Sequence, residues 1–161
     1  MSGVELLFVC LGNICRSPTA EAVMAGLLAD EGLDDRVHVD SAGTGSWHVG
    51  HPADPRSRAA AAERGIALTS RARQVTEADF ERFDLLLAMD RQNAADLRAL
   101  APDDAAASKV RLLREFDAAA ARDGDLDVPD PYHGGPRGFE HVLDLVDAAC
   151  RGLLAEVRSR G

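Results

Sequence analysis

Near its start the chain has a short apolar run, Leu6-Leu7-Phe8-Val9, that passes directly into Cys10-Leu11-Gly12-Asn13-Ile14-Cys15-Arg16-Ser17-Pro18. The apolar run predicts a strand, and Pro18 suits the first turn of a following helix. Gly12 allows a tight turn between them, and Asn13 tolerates a left-handed backbone. This order of strand, short loop and helix directs the backbone N–H groups of a helix N-terminus toward a single point, which limits the folds open to the chain.

The loop between Cys10 and Arg16 has the features of an anion site. The helix N-terminus contributes N–H groups and partial positive charge, and Arg16 adds a planar fork that holds two phosphate oxygens at once. The same field, with a hydroxyl donor such as Ser17, stabilises a thiolate on Cys10. A cysteine at a strand end more often only packs, but the loop glycine and the helix favour the chemical interpretation. We therefore predict that Cys10 is a nucleophile and that Arg16 clamps phosphate, within a loop completed by Leu11, Gly12, Asn13, Ile14, Cys15 and Ser17.

Composition narrows the class of protein. The 161 residues, 46% hydrophobic and 28% charged, suit one globular domain spanning 1–161. A formal net charge of −9 argues against nucleic acid and anionic membranes as partners, so phosphate binding must come from the local loop. The apolar runs are too short for a membrane span or a signal peptide, and the three cysteines do not form a secreted disulfide framework, so we expect a cytoplasmic location. Lys109 is the only lysine among the 18 basic residues, which indicates a GC-rich, bacterial gene.

Segments of strand and helix type alternate along the chain, which is typical of an α/β fold with a parallel sheet. We predict strands at 5–10, 36–40, 84–89 and 109–113, and helices at 18–31, 55–64, 77–83, 91–100 and 138–158. Between the last strand and the last helix, residues 123–137 are rich in glycine and proline. Because ligands bind at the carboxyl edge of such sheets, this segment is long enough to cover a site there.

The sequence resembles the low-molecular-weight protein tyrosine phosphatases along nearly all its length. Besides the loop, matching segments follow in the expected order: Asp40-Ser41-Ala42-Gly43-Thr44, Trp47, Ala72-Arg73-Gln74-Val75-Thr76, Met89-Asp90 and Asp130-Pro131-Tyr132. The resemblance implies a three-layer α/β sandwich whose four-stranded parallel sheet has the order 2-1-3-4, with helices on both faces. It also implies hydrolysis of protein phosphotyrosine through a phosphocysteine intermediate, with no metal and no cofactor.

A phosphate ester also needs a carboxylic acid to protonate its leaving oxygen. Asp130 is the candidate, since Pro131 restrains its backbone and the resemblance implies the general acid at this position. By itself an Asp-Pro pair is as often a turn, and Asp54-Pro55 is a second such pair. We expect Asp54 to cap the helix that follows it.

The resemblance assigns supporting roles to further residues. Trp47, Tyr132 and His133 are expected to line a deep cleft for an aromatic substrate, with His133 standing where many relatives have a second aromatic residue. Asn13 and Ser41 are expected to brace the loop, and Ser70 replaces a histidine often found in that network.

The remaining cysteines and two of the histidines are expected to play other roles. Cys15 is expected to form a reversible, protective disulfide with Cys10, again as the resemblance implies, or else to be simply buried; Cys150 is expected to lie in the core. His48 and His51 are close to Asp54 in sequence, but such a loop is usually only solvated, and we predict no metal site.

The alternatives to phosphotyrosine hydrolysis are arsenate reduction, phosphoarginine hydrolysis and phosphate binding without catalysis. Arsenate reductases resemble this fold but need further cysteines, and none lies in 82–90. Related arginine phosphatases tend to carry Thr where this chain has Ile14. A binding module without catalysis would not need Cys10 and Asp130 together. The expected partners are tyrosine-phosphorylated proteins and a cognate tyrosine kinase, and the expected state is a monomer or weak dimer.

Overall fold

The computed structural model describes residues 3–132 and 135–160. Its strands are β1 (Val4–Cys10), β2 (Val37–Gly43), β3 (Leu85–Ala88) and β4 (Val110–Leu112). Its α-helices are α1 (Arg16–Asp30), α2 (Pro55–Ala62), α3 (Glu77–Arg82), α4 (Arg91–Leu100), α5 (Asp104–Ala107), α6 (Ala118–Asp123) and α7 (Pro136–Arg160). A 3₁₀ helix at Leu113–Phe116 follows β4.

The four strands form one parallel sheet in the order β2-β1-β3-β4, which confirms the predicted topology. β1 lies inside the sheet and pairs along its whole length with β2, from Val4 opposite Val37 to Cys10 opposite Gly43. On its other side β1 pairs with β3, which in turn pairs with β4. The loop that follows Cys10 therefore leaves an inner strand, whose position is fixed from both sides.

Side chains of β1 alternate between two hydrophobic cores, one on each face of the sheet. Leu6 and Phe8 lie in the core formed with α1 and α7, whereas Leu7 and Val9 lie in the core formed with α3 and α4. All four are completely buried. Burial of side chains of this size contributes about 1.5–3 kcal/mol each, so β1 is held by packing from both layers of helices.

The predicted boundaries differ from the structure mainly in short elements. The 3₁₀ helix, α5 and α6 were not among the predicted helices. Each has only four to six residues, which is too short to show an apolar period. Asp54 caps α2, as predicted, by accepting a hydrogen bond from the N–H of Arg56.

The carboxyl edge of the sheet gathers three segments. The loop 11–15 joins β1 to α1, and Asp90 follows β3 as the N-cap of α4. Residues 124–132 contain no helix or strand and run across these strand ends, where the Val128 N–H donates to the Met89 carbonyl over 2.7 Å. The long segment predicted to cover a site is thus tied to the end of β3.

Two glycines in helices predict opposite effects of the same substitution. Gly152 on α7 faces the 3₁₀ helix, and a Cβ there would overlap the carbonyl oxygen of Phe116. Gly152→Ala is therefore expected to lower the free energy of unfolding by about 1–3 kcal/mol, although alanine favours helices. Gly26 on α1 has open space around its Cα, so Gly26→Ala should raise the same free energy by about 0.5–1 kcal/mol.

Urea denaturation of both variants measures the two changes. Equal effects of the same sign would contradict the tight contact between α7 and the 3₁₀ helix.

Candidate active site

The sulfur of Cys10 lies at the end of β1, where two hydrogen-bonding groups face it. The N–H of Asn13 donates to Sγ over 3.3 Å, and the hydroxyl oxygen of Ser17 lies 3.0 Å from Sγ. Cys10 is only 3% exposed. Donors aimed at a buried sulfur stabilise its thiolate form, which is the nucleophilic form of cysteine.

Asn13 holds the loop in a conformation that other residues adopt with difficulty. Its φ is 56°, and among the described residues it is the only one besides glycines with a positive φ. Its side-chain amide donates to the Ser17 hydroxyl over 2.8 Å, and its carbonyl accepts the N–H of Arg73 over 3.0 Å. The expected bracing by Asn13 therefore runs both to the sulfur, through Ser17, and to the segment before α3.

Arg73 is a supporting residue to which the sequence analysis gave no role. Its guanidinium donates to Asp40 over 3.1 Å and to Asp79 over 3.0 Å, which joins the middle of β2 to the start of α3. These ion pairs fix the backbone that donates to Asn13. The only sequence signal was membership of the Ala72–Thr76 segment.

Arg16 is buried with its guanidinium directed at the loop. Nη1 donates to Asp90 over 2.6 Å and to the carbonyl of Val128 over 2.9 Å. Burial lowers the pKa of Arg16, but interaction with Cys10 and Asp90 raises it by more, so its pKa stands above the usual value. Asp90 received no role from the sequence, although it directly follows a buried strand at the carboxyl edge.

Asp130 lies at the mouth of the site. One carboxylate oxygen is 3.7 Å from Nη2 of Arg16, and the other accepts the N–H of Tyr132 over 3.0 Å. Asp54, the other candidate carboxyl group, is hydrogen-bonded by the Arg56 side chain. These hydrogen bonds hold the pKa of Asp54 below its usual value. Asp130 faces Arg16, whereas Asp54 pairs with Arg56, so Asp130 stays the candidate for the general acid.

These groups surround a cavity of about 200 Å³. Its lining consists of Cys10, Leu11, Gly12, Ile14, Cys15, Arg16, Trp47, His48, Asp130 and Tyr132. Trp47 and Tyr132 are 71% and 38% exposed, respectively, so a ligand ring can reach both residues. His48 was not predicted as a cleft residue; its ring lies 6.2 Å from the Tyr132 ring. The predicted cleft residue His133 lies outside the described residues.

Ser41 does not brace the loop in the direct way we expected. Its hydroxyl donates to the carboxylate of Glu21 on α1 over 2.5 Å. Burial raises the pKa of Glu21, and hydrogen bonds from Ser41 and Ser70 partly oppose this rise. Ser41 therefore joins β2 to α1.

Cys15 and Cys150 differ from Cys10 in their surroundings. Both are buried free thiols, and Cys150 lies in the core as expected. Burial raises the pKa of Cys15 to about 12 and also raises that of Cys150. Cys15 lines the same cavity as Cys10, so the protective disulfide between them stays a prediction.

Metal-binding groups and membrane-spanning helices are both absent from the described residues. Among them, no group of three or more His, Cys, Asp or Glu side chains is arranged to hold a metal ion. No helix in 3–132 or 135–160 has the length and apolar character needed to cross a membrane.

Comparisons with known proteins agree with this geometry. The family model described as low molecular weight phosphotyrosine protein phosphatase matches residues 5–161. A low molecular weight protein-tyrosine-phosphatase of Streptomyces coelicolor is 54% identical, over 97% of this chain and 94% of that protein. The crystal structure of a protein tyrosine phosphatase from Entamoeba histolytica superposes with a TM-score of 0.92 at 39% identity, covering 98% of both chains. A structure of the arginine phosphatase YwlE superposes with a TM-score of 0.85 at 31% identity, covering 96% of both chains. YwlE is a protein of Bacillus subtilis.

The three thiols predict a selective alkylation. At neutral pH iodoacetate should modify Cys10 at least about tenfold faster than Cys15 or Cys150, because the latter two stay protonated. Inorganic phosphate should slow the modification of Cys10 by occupying the loop. Peptide mapping by mass spectrometry measures the three rates, and the protein unfolded in guanidinium serves as the control in which all three react alike. Equal rates in the folded protein would contradict the special environment of Cys10.

Proposed function

The chain belongs to the low molecular weight phosphotyrosine protein phosphatase family, a family of cysteine-dependent hydrolases, and on this basis we propose that Cys10, Arg16 and Asp130 remove phosphate from protein phosphotyrosine. One observation carries the proposal. The Cys10 sulfur, hydrogen-bonded by Asn13 and Ser17, shares a cavity with a buried guanidinium and a carboxyl group.

In the first step the Cys10 thiolate attacks phosphorus. The new sulfur–phosphorus bond forms as the bond from phosphorus to the phenolic oxygen breaks. Asp130 transfers its proton to that oxygen, so the phenol leaves in neutral form. The loop N–H groups and Arg16 stabilise the equatorial oxygens of the transition state. The product is a phosphocysteine.

In the second step water releases the phosphate. Asp130, now a carboxylate, accepts a proton from the water as its oxygen bonds to phosphorus. The sulfur–phosphorus bond breaks, and the Ser17 hydroxyl and the Asn13 N–H stabilise the departing thiolate. A cysteine-to-serine mutant of the arginine phosphatase YwlE has been solved with a phosphorylated active-site serine, which supports a phosphorylated enzyme intermediate.

The cavity favours an aromatic phosphate ester. Trp47 and Tyr132 at its mouth can stack on a phenyl ring, whereas a phosphoserine has no ring for them to contact. Ile14 adds an apolar wall. The tyrosine phosphatase of Streptomyces coelicolor is also closer in sequence than the arginine phosphatase, at 54% against 31% identity. The apolar Ile14 and the higher identity to the tyrosine phosphatase both favour phosphotyrosine over phosphoarginine as the substrate.

The biological setting follows from this substrate class. Tyrosine-phosphorylated proteins are the proposed partners, with a tyrosine kinase supplying them. A cytoplasmic location and a monomeric or weakly dimeric state remain predictions.

The proposal predicts activity in EDTA. The purified protein should hydrolyse phosphotyrosine peptides faster than phosphoserine or phosphoarginine peptides, with phosphate release as the measurement. Cys10→Ser should be inactive yet still bind phosphate weakly. Arg16→Lys should lose activity by at least about 100-fold, because an ammonium group cannot grip two oxygens. Full activity of Cys10→Ser, a strict need for added metal or a preference for phosphoarginine would refute the proposal.

Asp130→Asn tests the general acid. The value of kcat/KM should fall by about 100-fold or more for phenyl phosphate, whose leaving group needs a proton, and much less for 4-nitrophenyl phosphate. The alkaline limb of the pH profile should flatten. Asp127→Asn is the matched control on the same segment, since Asn preserves the oxygen that accepts the Arg91 N–H. A loss of equal size on both esters would show that another group is the acid.

A further inference from the structure

Arg56, at the start of α2, is held by three groups outside the phosphate-binding loop. Its Nε and Nη2 donate to the two carboxylate oxygens of Asp54, over 3.1 and 2.9 Å. Nη1 donates to the carbonyl oxygen of Tyr132 over 2.9 Å. The guanidinium carbon also lies 5.2 Å from the centre of the Tyr132 ring and 4.8 Å from that of Phe139.

The residue that accepts from Arg56 also orients the general acid. Tyr132 accepts from Arg56 through its carbonyl, and its N–H donates to Asp130 over 3.0 Å. At the other end, the N–H of Asp54 donates to the carbonyl of Ile14 within the loop over 2.8 Å. Arg56 therefore connects the loop that holds phosphate to the segment that carries the acid.

Hydrogen bonds at Val128 hold the Asp130 segment before Asp130, and Arg56 holds it after Asp130, at Tyr132. Residues 124–132 contain no helix or strand, and the Asp130 side chain is 47% exposed. Proton transfer requires the carboxyl group within hydrogen-bonding distance of the leaving oxygen, and small displacements cost large factors in rate. A bidentate ion pair with buried Asp54 gives Arg56 a defined direction, which a lysine could not reproduce.

We infer that Arg56 is a positioning residue for the general acid: it holds Tyr132, and through it Asp130, at the distance from the loop that proton transfer needs. The inference rests on the proposed function. A direct role in phosphate binding is disfavoured, because Nε, Nη1 and Nη2 are engaged by Asp54 and Tyr132. Among the described residues that line the Cys10 cavity, Arg56 is not included.

Kinetics of Arg56→Met test this role. Methionine keeps an unbranched apolar stem but lacks the guanidinium, so it removes every donor together with the contact on the Phe139 ring. We expect kcat/KM for phenyl phosphate to fall by about 10- to 100-fold, part of the 100- to 10,000-fold that acid catalysis contributes, and that for 4-nitrophenyl phosphate to fall by less than about threefold. The inhibition constant of inorganic phosphate should stay within about twofold of wild type, because the loop is intact. Arg56→Lys, which retains a charge beside Asp54, should lose less and serves where Arg56→Met fails to fold.

Arg64→Met is the matched control. Arg64 also joins the α2 region to α7, through Glu140 and Asp144, but lies away from the acid segment. The control should leave both esters unaffected. If Arg64→Met reproduces the pattern of Arg56→Met, helix packing explains the effect and the inference is wrong.

A double mutant shows whether Arg56 acts through Asp130. In an Asp130→Asn background, adding Arg56→Met should cost less than about twofold more on phenyl phosphate, because the acid is already absent. A further loss as large as in the wild-type background, or equal losses on both esters in the single variant, would overturn the inference and leave the phosphatase assignment standing. A wild-type protein that hydrolyses neither ester would instead refute the proposed function, and the role of Arg56 with it.

Discussion

The ion pair between Arg16 and Asp90 is the interaction on which the rest of the site depends. Their atoms are 2.6 Å apart although the residues are 74 positions apart in sequence. A buried guanidinium needs a partner, and removal of one member of such a pair typically costs about 3–5 kcal/mol. The Val128 carbonyl completes the arrangement. The end of β3, the start of α1 and residues 124–132 therefore meet at one positive charge. In the proposed function this local charge binds the phosphate, although the net charge of the protein is −9.

A connected set of polar groups keeps the loop around Cys10, the proposed nucleophile, in place. Asn13, in its left-handed conformation, links the Ser17 hydroxyl to the backbone of Arg73, and ion pairs to Asp40 and Asp79 fix that backbone in turn. An unpaired polar group in the buried loop would cost stability, whereas a satisfied network holds donors at fixed distances from the sulfur. In the proposed mechanism, these donors stabilise the charged transition state with little rearrangement.

Asp130, the proposed general acid, lies in different surroundings. Asp130 is half exposed on a segment without regular structure, whereas Cys10 and Arg16 are almost completely buried. Solved structures similar to this chain include both a tyrosine phosphatase and an arginine phosphatase, so the fold alone does not decide which phosphorylated side chain is the substrate. We propose that specificity in this chain depends on the residues at the mouth of the cavity, including Trp47 and Tyr132.

The sequence by itself determined what is local. The loop from Cys10 to Arg16, the apolar β1 and the cap at Asp54 were all identifiable because strand, turn and helix signals act over a few residues. The strand order came from resemblance and was confirmed. Only the tertiary structure decided which distant polar groups meet. It paired Arg16 with Asp90 and gave Arg73 to Asn13, 60 residues away, while Ser41 turned to Glu21. Such partners depend on how the strand ends are stacked side by side, and no periodicity along the chain records that arrangement.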